Sequence, residues 1–417
     1  MGTMERERSG REMMLSTRFS RSAVARLVSR RALARLAAAA ALATLAACAN
    51  VGAPRPAADD GAMIDVSGAV PVALLVPTGA GDPTLQRIGR DLENAARLAQ
   101  VDLRNAQIDL RVYDTGGTFE GGQAAATRAA TEGAAIIVGP LLSTETAGAD
   151  PVARNAGLNM LTFSNNPGVA APGVYLLGVT PGASADTLAR FARGRGLSNF
   201  GVLYVQGEAD AVIRDSVIAA VSRAGGRVVS TQAYPYSQQG VNDTVAVMSV
   251  ALQNAGADAV FLTERSTAGL VADGLRANGL GPDRALLMGL QPWGQDADTL
   301  GRGSLQGAVY AAPDPALLAA FEGRYVNAYG EVPHELAVLA YDGVGAVGAL
   351  IAEARARGGA PFSTSRITQP QGFAGANGAF RFSPDGLSQR NLAVIEVRGG
   401  VAVVTSRAAR GFDSLVN

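Results

Sequence analysis

Short, unbroken apolar runs alternate with amphipathic stretches along most of this chain, and that alternation narrows the choice of fold more than any other feature. Residues 70–76, 108–113, 134–138 and 160–163 are apolar runs of strand length, closed by Pro77-Thr78-Gly79, Asp114-Thr115-Gly116-Gly117 or Gly139-Pro140. Between them, residues 85–103, 122–131 and 144–155 carry helical spacing. In the first of these, Leu85, Ile88, Leu92, Ala96, Ala99 and Leu103 fall on one face. A strand that is apolar on both faces must be covered on both faces. Strands of that kind joined by amphipathic helices therefore form a parallel sheet with helices on either side.

The series restarts after Gly173. Helices are expected over 185–193, 209–224, 243–254 and 267–278, with strands at 200–205, 227–233, 258–262, 285–288 and 308–311. A second series this long needs a second sheet, so the chain reads as two lobes. Two long helices follow, at 315–329 and 335–357. The tail is different. Residues 378–382, a turn at Pro384-Asp385-Gly386, and then 392–397 and 401–404 around Gly399-Gly400 read as an antiparallel hairpin or meander.

Composition excludes most enzymology. His334 is the only His and Cys48 the only Cys among 417 residues. That removes His-based triads, His–Cys zinc sites, HExxH metal sites and any intramolecular disulfide. No cofactor or metal motif is present. The net charge is zero, but residues 1–47 hold nine Arg and three Glu, leaving 27 basic and 33 acidic residues in the rest. A mildly acidic body argues against nucleic acid, which requires a basic footprint.

The N-terminus reads as an address. Arg18, Arg21, Arg26, Arg30, Arg31 and Arg35 precede an uncharged run, 36–47, that ends in Leu45-Ala46-Ala47-Cys48. The run is too short to span a bilayer, which takes about 20 residues, but it suits a signal peptide. The final four residues resemble a bacterial lipobox, which implies acylation of Cys48 and membrane attachment through the lipid. Ala49, rather than Asp, follows the Cys, so sorting rules point to the outer membrane rather than the inner. Residues 50–63 lack apolar periodicity and read as a flexible tether.

Five stretches taken in order resemble type I periplasmic-binding folds of the leucine/isoleucine/valine-binding group: Val72-Ala73-Leu74-Leu75-Val76-Pro77, Ala95-Ala96-Arg97-Leu98-Ala99, Val112-Tyr113-Asp114-Thr115, Ile137-Val138-Gly139-Pro140-Leu141 and Met160-Leu161-Thr162-Phe163-Ser164-Asn165. Gly378-Ala379-Phe380-Arg381-Phe382 with Asp385-Gly386 fits the same group. Within it, Val138-Gly139-Pro140-Leu141-Leu142-Ser143 and Phe163-Ser164-Asn165-Asn166 resemble the penicillin-binding-protein activator lipoproteins. The resemblance implies two α/β lobes joined by a hinge, with a cleft at the C-terminal ends of the strands. The expected boundaries are a lipoprotein signal at 1–47, a tether at 48–65, lobe one at 66–180 plus 312–361, and lobe two at 181–311 plus 362–417.

The resemblance also implies a site. Ser143 stands between a strand and a helix N-terminus, where a hydroxyl and free N–H groups suit a carboxylate. Thr144 adjoins it, and Ser164 and Asn165 end the next strand. The alternative reading of Ser143 or Thr144 is a simple helix cap. On lobe two, Tyr204 is the expected aromatic over a ligand, and Glu264 the expected partner of an α-amino group. Gly289-Leu290-Gln291-Pro292-Trp293 holds no acid where the group's ammonium-binding carboxylate normally falls.

Two functions of different classes follow. The first expectation is a non-enzymatic lipoprotein on the periplasmic side of the envelope that regulates peptidoglycan synthesis by touching a peptidoglycan synthase, with an amino acid or cell-wall fragment as its small-molecule ligand. The alternative is the solute-binding protein of an ABC importer for a branched-chain amino acid or related polar metabolite. An enzyme finds no support, because no residue near Ser143 in sequence could act as its base.

Overall fold

The computed structural model describes residues 61–294 and 297–412. The basic region, the apolar run 36–47 and Cys48 lie outside the described residues.

Lobe one is built from β1 (Val70–Val76), α1 (Pro83–Asp102), β2 (Ile108–Asp114), α2 (Phe119–Thr131), β3 (Ile136–Val138), α3 (Ser143–Asn155), β4 (Met160–Thr162) and β5 (Val174–Leu176). The five strands pair in parallel in the order β2-β1-β3-β4-β5. The expected helix 85–103 begins two residues earlier. Pro83 presets the first turn, and Asp82 caps it by accepting the Thr84 N–H at 2.7 Å. Strand β5 escaped the sequence reading, because three residues without alternation give no periodic signal.

Lobe two follows with α4 (Pro181–Gly194), β6 (Asn199–Val205), α5 (Glu208–Arg223), β7 (Arg227–Tyr234), α6 (Gln238–Asn254), β8 (Ala259–Leu262), α7 (Arg265–Ala277), β9 (Leu286–Gly289), α8 (Ala297–Gly301) and β10 (Val309–Ala312). The chain then returns to lobe one for α9 (Pro315–Tyr329) and α10 (Ala337–Arg357). Helix α10 has a mean hydropathy of 1.4 over its most apolar stretch and lies largely buried in lobe one. After α11 (Thr364–Ile367) come β11 (Phe380–Phe382), β12 (Ser388–Arg390), β13 (Ala393–Arg398) and β14 (Val401–Ser406). The second sheet runs β14-β13-β10-β9-β8-β6-β7, with β13 antiparallel to both of its neighbours.

The tail departs from expectation in two ways. Strand β11 does not join the meander; it pairs with β12 in a separate two-stranded ribbon. That ribbon belongs to lobe one. Phe362, Ile367, Phe373, Phe380 and Phe382 are buried in its core, and Tyr175 of β5 packs on Phe382 with ring centroids 5.4 Å apart. The boundary expected at 361/362 therefore falls near residue 391. Buried aromatic area decides where this segment sits, and a reading of strands and turns alone does not register it.

The end of the expected tether is docked as well. Ile64 and Val66 pack on the lobe-one core, and the Arg355 guanidinium donates to the carbonyls of Val66 and, at 2.9 Å, of Gly68.

Three short connections cross between the lobes, and buried charge holds two of them. Asp342 of α10 and Arg390 of β12 form an ion pair at 2.9 Å with both side chains 0% exposed. Arg390 also donates to the Leu177 carbonyl at 3.0 Å, on the first crossing, and stands immediately before the third. Asp342 accepts the Ala376 and Asn377 N–H groups at 2.7 and 3.2 Å. At the second crossing, Asp314 caps α9 and pairs with Arg407 at 2.7 Å, but the Arg407 side chain is 64% exposed.

Candidate functional site

A cavity of about 840 Å³ opens between the lobes at the C-terminal ends of their strands. Its size falls in the range of small-molecule sites, about 300–1,000 Å³. Lobe one supplies Leu85 and Ile88 of α1, Leu141 and Leu142 after β3, and Phe163, Ser164 and Asn165 after β4. Lobe two supplies Ile213, Thr263, Arg265, Leu290 and Gln291, while Asn377, Ala312 and Pro313 line the hinge side.

The lobe-one rim is rigidly built. Gly139, after β3, has φ 92°, and a Cβ there would lie 2.2 Å from the Leu75 carbonyl oxygen, so only glycine fits. The turn that follows delivers Leu142 to the N-terminus of α3. Neither Ser143 nor Thr144 caps that helix. Glu145 does so by reaching back to accept the Leu142 N–H at 2.6 Å, and it also accepts the Thr115 hydroxyl. Burial pushes the Glu145 carboxyl above its ordinary range. Thr146 and Thr162 share a hydrogen bond of 2.8 Å, and Thr162 donates to the Pro140 carbonyl at 2.9 Å. This buried network joins the start of α3 to the end of β4.

Of the six candidate residues only two line the cavity, and Ser143, Thr144, Tyr204 and Glu264 do not. Ser164, buried, and Asn165, exposed, line the cavity. Ser143 and Thr144 sit in the first turn of α3 beside Leu142, which does line it. Tyr204 and Glu264 do not. The Tyr204 hydroxyl accepts from Arg214 at 3.1 Å, and the guanidinium stacks over its ring at 5.2 Å. Glu264 is the N-cap of α7, accepting the Ser266 N–H at 2.8 Å. Its charge also adds to burial in raising the Asp210 carboxyl. Thr78 to Gly81 forms a plain turn in which Asp114 accepts the Gly79 N–H at 2.7 Å. Trp293 is 1% exposed and packs on Tyr310, and His334 binds its own loop by accepting the Leu336 N–H at 3.2 Å.

Sequence reasoning missed the groups that lobe two and the hinge do present. Thr263 directly precedes Glu264, and attention to charge favoured the wrong neighbour. Tyr310 lines the cavity from β10, and burial pushes its phenol up to about 12, so it keeps its proton at neutral pH. Asn377 stands in an irregular loop that carries no motif. Among the described residues no cluster of His, Cys, Asp and Glu could hold a metal ion.

Two lobes, each with a parallel sheet, facing each other across a cavity at their strand ends define a class of binding proteins that capture ligands between lobes. Residues 70–401 match the periplasmic binding protein family, and the chain belongs to it. Membership implies a periplasmic location. Solved structures share the fold. A putative branched-chain amino acid ABC transporter protein from Rhodospirillum rubrum superposes with TM-score 0.66 at 19% identity, over 81% of this chain and 99% of that one. A leucine-binding protein from Thermotoga maritima gives 0.53 at 19%, over 83% and 100%. A solute-binding protein of an ABC transporter from Rhodopseudomonas palustris, in complex with 3,4-dihydroxybenzoic acid, gives 0.51 at 17%, over 82% and 98%. No curated protein sequence matches the chain.

Proposed function

We propose that this protein is the solute-binding receptor of an ABC importer, which captures a small carboxylate by closing its two lobes. The observation that carries this reading is the interlobe cavity, walled by strand ends of both lobes. A ligand touching both walls stabilises the closed form by its differential affinity for it. The carboxylate binds at the start of α3, where the Ser143 and Thr144 N–H groups and the helix dipole favour an anion, with Ser164 and Asn165 alongside. Acylated Cys48 tethers the receptor to the membrane on the periplasmic side.

The family match and the transport proteins that share the fold support this reading over regulation of peptidoglycan synthesis. Nothing in either points to a peptidoglycan synthase. The test is thermal unfolding against amino acids and small carboxylic acids, with small-angle scattering on any that shift the transition. A ligand at 100 times its Kd adds about 2.7 kcal/mol and raises Tm visibly. A Tm shift with a smaller radius of gyration is the expected result. A ligand that raises Tm without compaction would sink capture by closure.

A further inference from the structure

The cavity contains two buried polar atoms that have no hydrogen-bond partner among the described residues. Thr263 Oγ1 and Asn377 Oδ1 have no hydrogen-bond partner, and their residues are 2% and 3% exposed. Both residues line the cavity, Thr263 from the end of β8 and Asn377 from the hinge. An unmade hydrogen bond at a buried site is costly, so both atoms are poised for a partner that arrives with the ligand. Asn377 Oδ1 can only accept, and a threonine hydroxyl can donate or accept. A neutral hydroxyl can donate to the Asn377 amide oxygen and accept from the Thr263 hydroxyl.

The charged groups point the same way. Arg265 lines the cavity from lobe two and makes no ion pair among the described residues. Glu335 is the one carboxylate among the described lining residues, and it already has a partner of its own. Glu264, the sequence-level candidate for an ammonium, is spent on capping α7. The remaining walls are largely apolar: Leu85, Ile88, Leu336 and Leu339 on one side, Ile213 and Leu290 on the other. A desolvated ammonium without a carboxylate partner is costly in such surroundings, whereas an uncharged ring or branched chain is not.

We infer that the ligand is a monocarboxylate with an apolar body and an uncharged hydroxyl, and without an ammonium group. This rests on the interlobe cavity being the capture site. The carboxylate lies at the lobe-one rim, where closure brings Arg265 toward it. The hydroxyl reaches Thr263 and Asn377. Because the Asn377 N–H is held by Asp342, the ligand's hydroxyl also engages the loop gripped by the buried hinge pair.

The test is calorimetric titration of the protein with four probes: 4-hydroxybenzoate, benzoate, 4-methylpentanoate and leucine. The last two share a carbon skeleton and differ in the ammonium. The expected result is that 4-hydroxybenzoate binds tightest and that 4-methylpentanoate binds at least tenfold tighter than leucine. Thr263→Val and Asn377→Leu, checked for an unchanged Tm, should each weaken 4-hydroxybenzoate about tenfold and benzoate less than threefold. Leucine binding tighter than 4-methylpentanoate would overturn the inference while leaving lobe capture intact. So would variants that weaken both benzoates equally. No heat with any of the four probes would overturn it too, and the scattering experiment decides separately whether the lobes close on anything.

Discussion

The two rims of the cleft are made in different ways. On lobe one, the end of β3, the start of α3 and the end of β4 are bound into one buried network by Thr146, Thr162 and Glu145, and the proposed binding groups stand on that frame. On lobe two, the conspicuous residues are committed elsewhere, Tyr204 to Arg214 and Glu264 to its own helix. The polar groups that face the cavity there include Thr263, whose hydroxyl has no partner among the described residues, and Arg265. One rim is tied together by buried hydrogen bonds and is the proposed cradle for an anion, and the other presents residues that carry no conspicuous motif. The general lesson is that charge and aromaticity mark what a residue could do, while strand pleat and helix capping decide whether it is free to do it.

Four measurements would break or sharpen this contrast. The largest effect belongs to the hinge that joins the two rims. Arg390→Ala strands Asp342 as a buried, uncompensated charge and should cost about 3–5 kcal/mol in denaturant unfolding. Arg407→Ala, on the exposed pair at the second crossing, should cost under about 1 kcal/mol. Equal losses would show that burial does not set the strength of these ties. Next comes the cradle. Ser164→Ala or Asn165→Ala should weaken carboxylate binding about tenfold by calorimetry, the worth of a hydrogen bond to a charged group. An unaffected Kd would move the anion off lobe one.

The third effect is a pH dependence. Folding raises the Glu145 pKa above its ordinary value, so the folded state holds this proton more tightly than the unfolded one. That contribution is fully present below the ordinary value of 4.5 and is lost as pH rises through the raised folded one. The stability of the protein relative to a Glu145→Gln variant should therefore decline as pH increases above about 4.5, measured by urea titration at a series of pH values. A gap that widens with pH would mean the carboxylate is favoured in its charged form. The smallest effect is expected on lobe two, where Tyr204→Phe and Glu264→Gln should change ligand affinity by less than about twofold, within the reach of general stability effects. A tenfold loss from Glu264→Gln would restore it as an ammonium partner.

The fold was legible because its signal is repeated. Each long strand and helix carries its own period, and errors at their ends reach five residues, at the start of α6. The strands that escaped, β5 and β12, are three residues each and exist because neighbours pair with them, and the short helices α8 and α11 escaped as well. The lobe boundary moved because Phe373, Phe380 and Phe382 choose lobe one's core, a tertiary preference with no local pattern. That Ser164 and Asn165 would fall beside the cavity was legible because strand end and following loop adjoin in sequence. The other rim was not, because Thr263, Gln291 and Asn377 come from three distant segments and meet only in space.

Helix α10 has a consequence that precedes folding. A chain that is exported unfolded threads the membrane translocon with no core to receive its apolar segments. At 21 residues and a mean hydropathy of 1.4, α10 is long and apolar enough to partition sideways into lipid at that moment. Asp342 opposes this, since an acidic residue placed deep in a spanning helix costs up to about 3 kcal/mol. On such a route the carboxylate that clamps the finished hinge would also disfavour retention of the nascent segment in lipid.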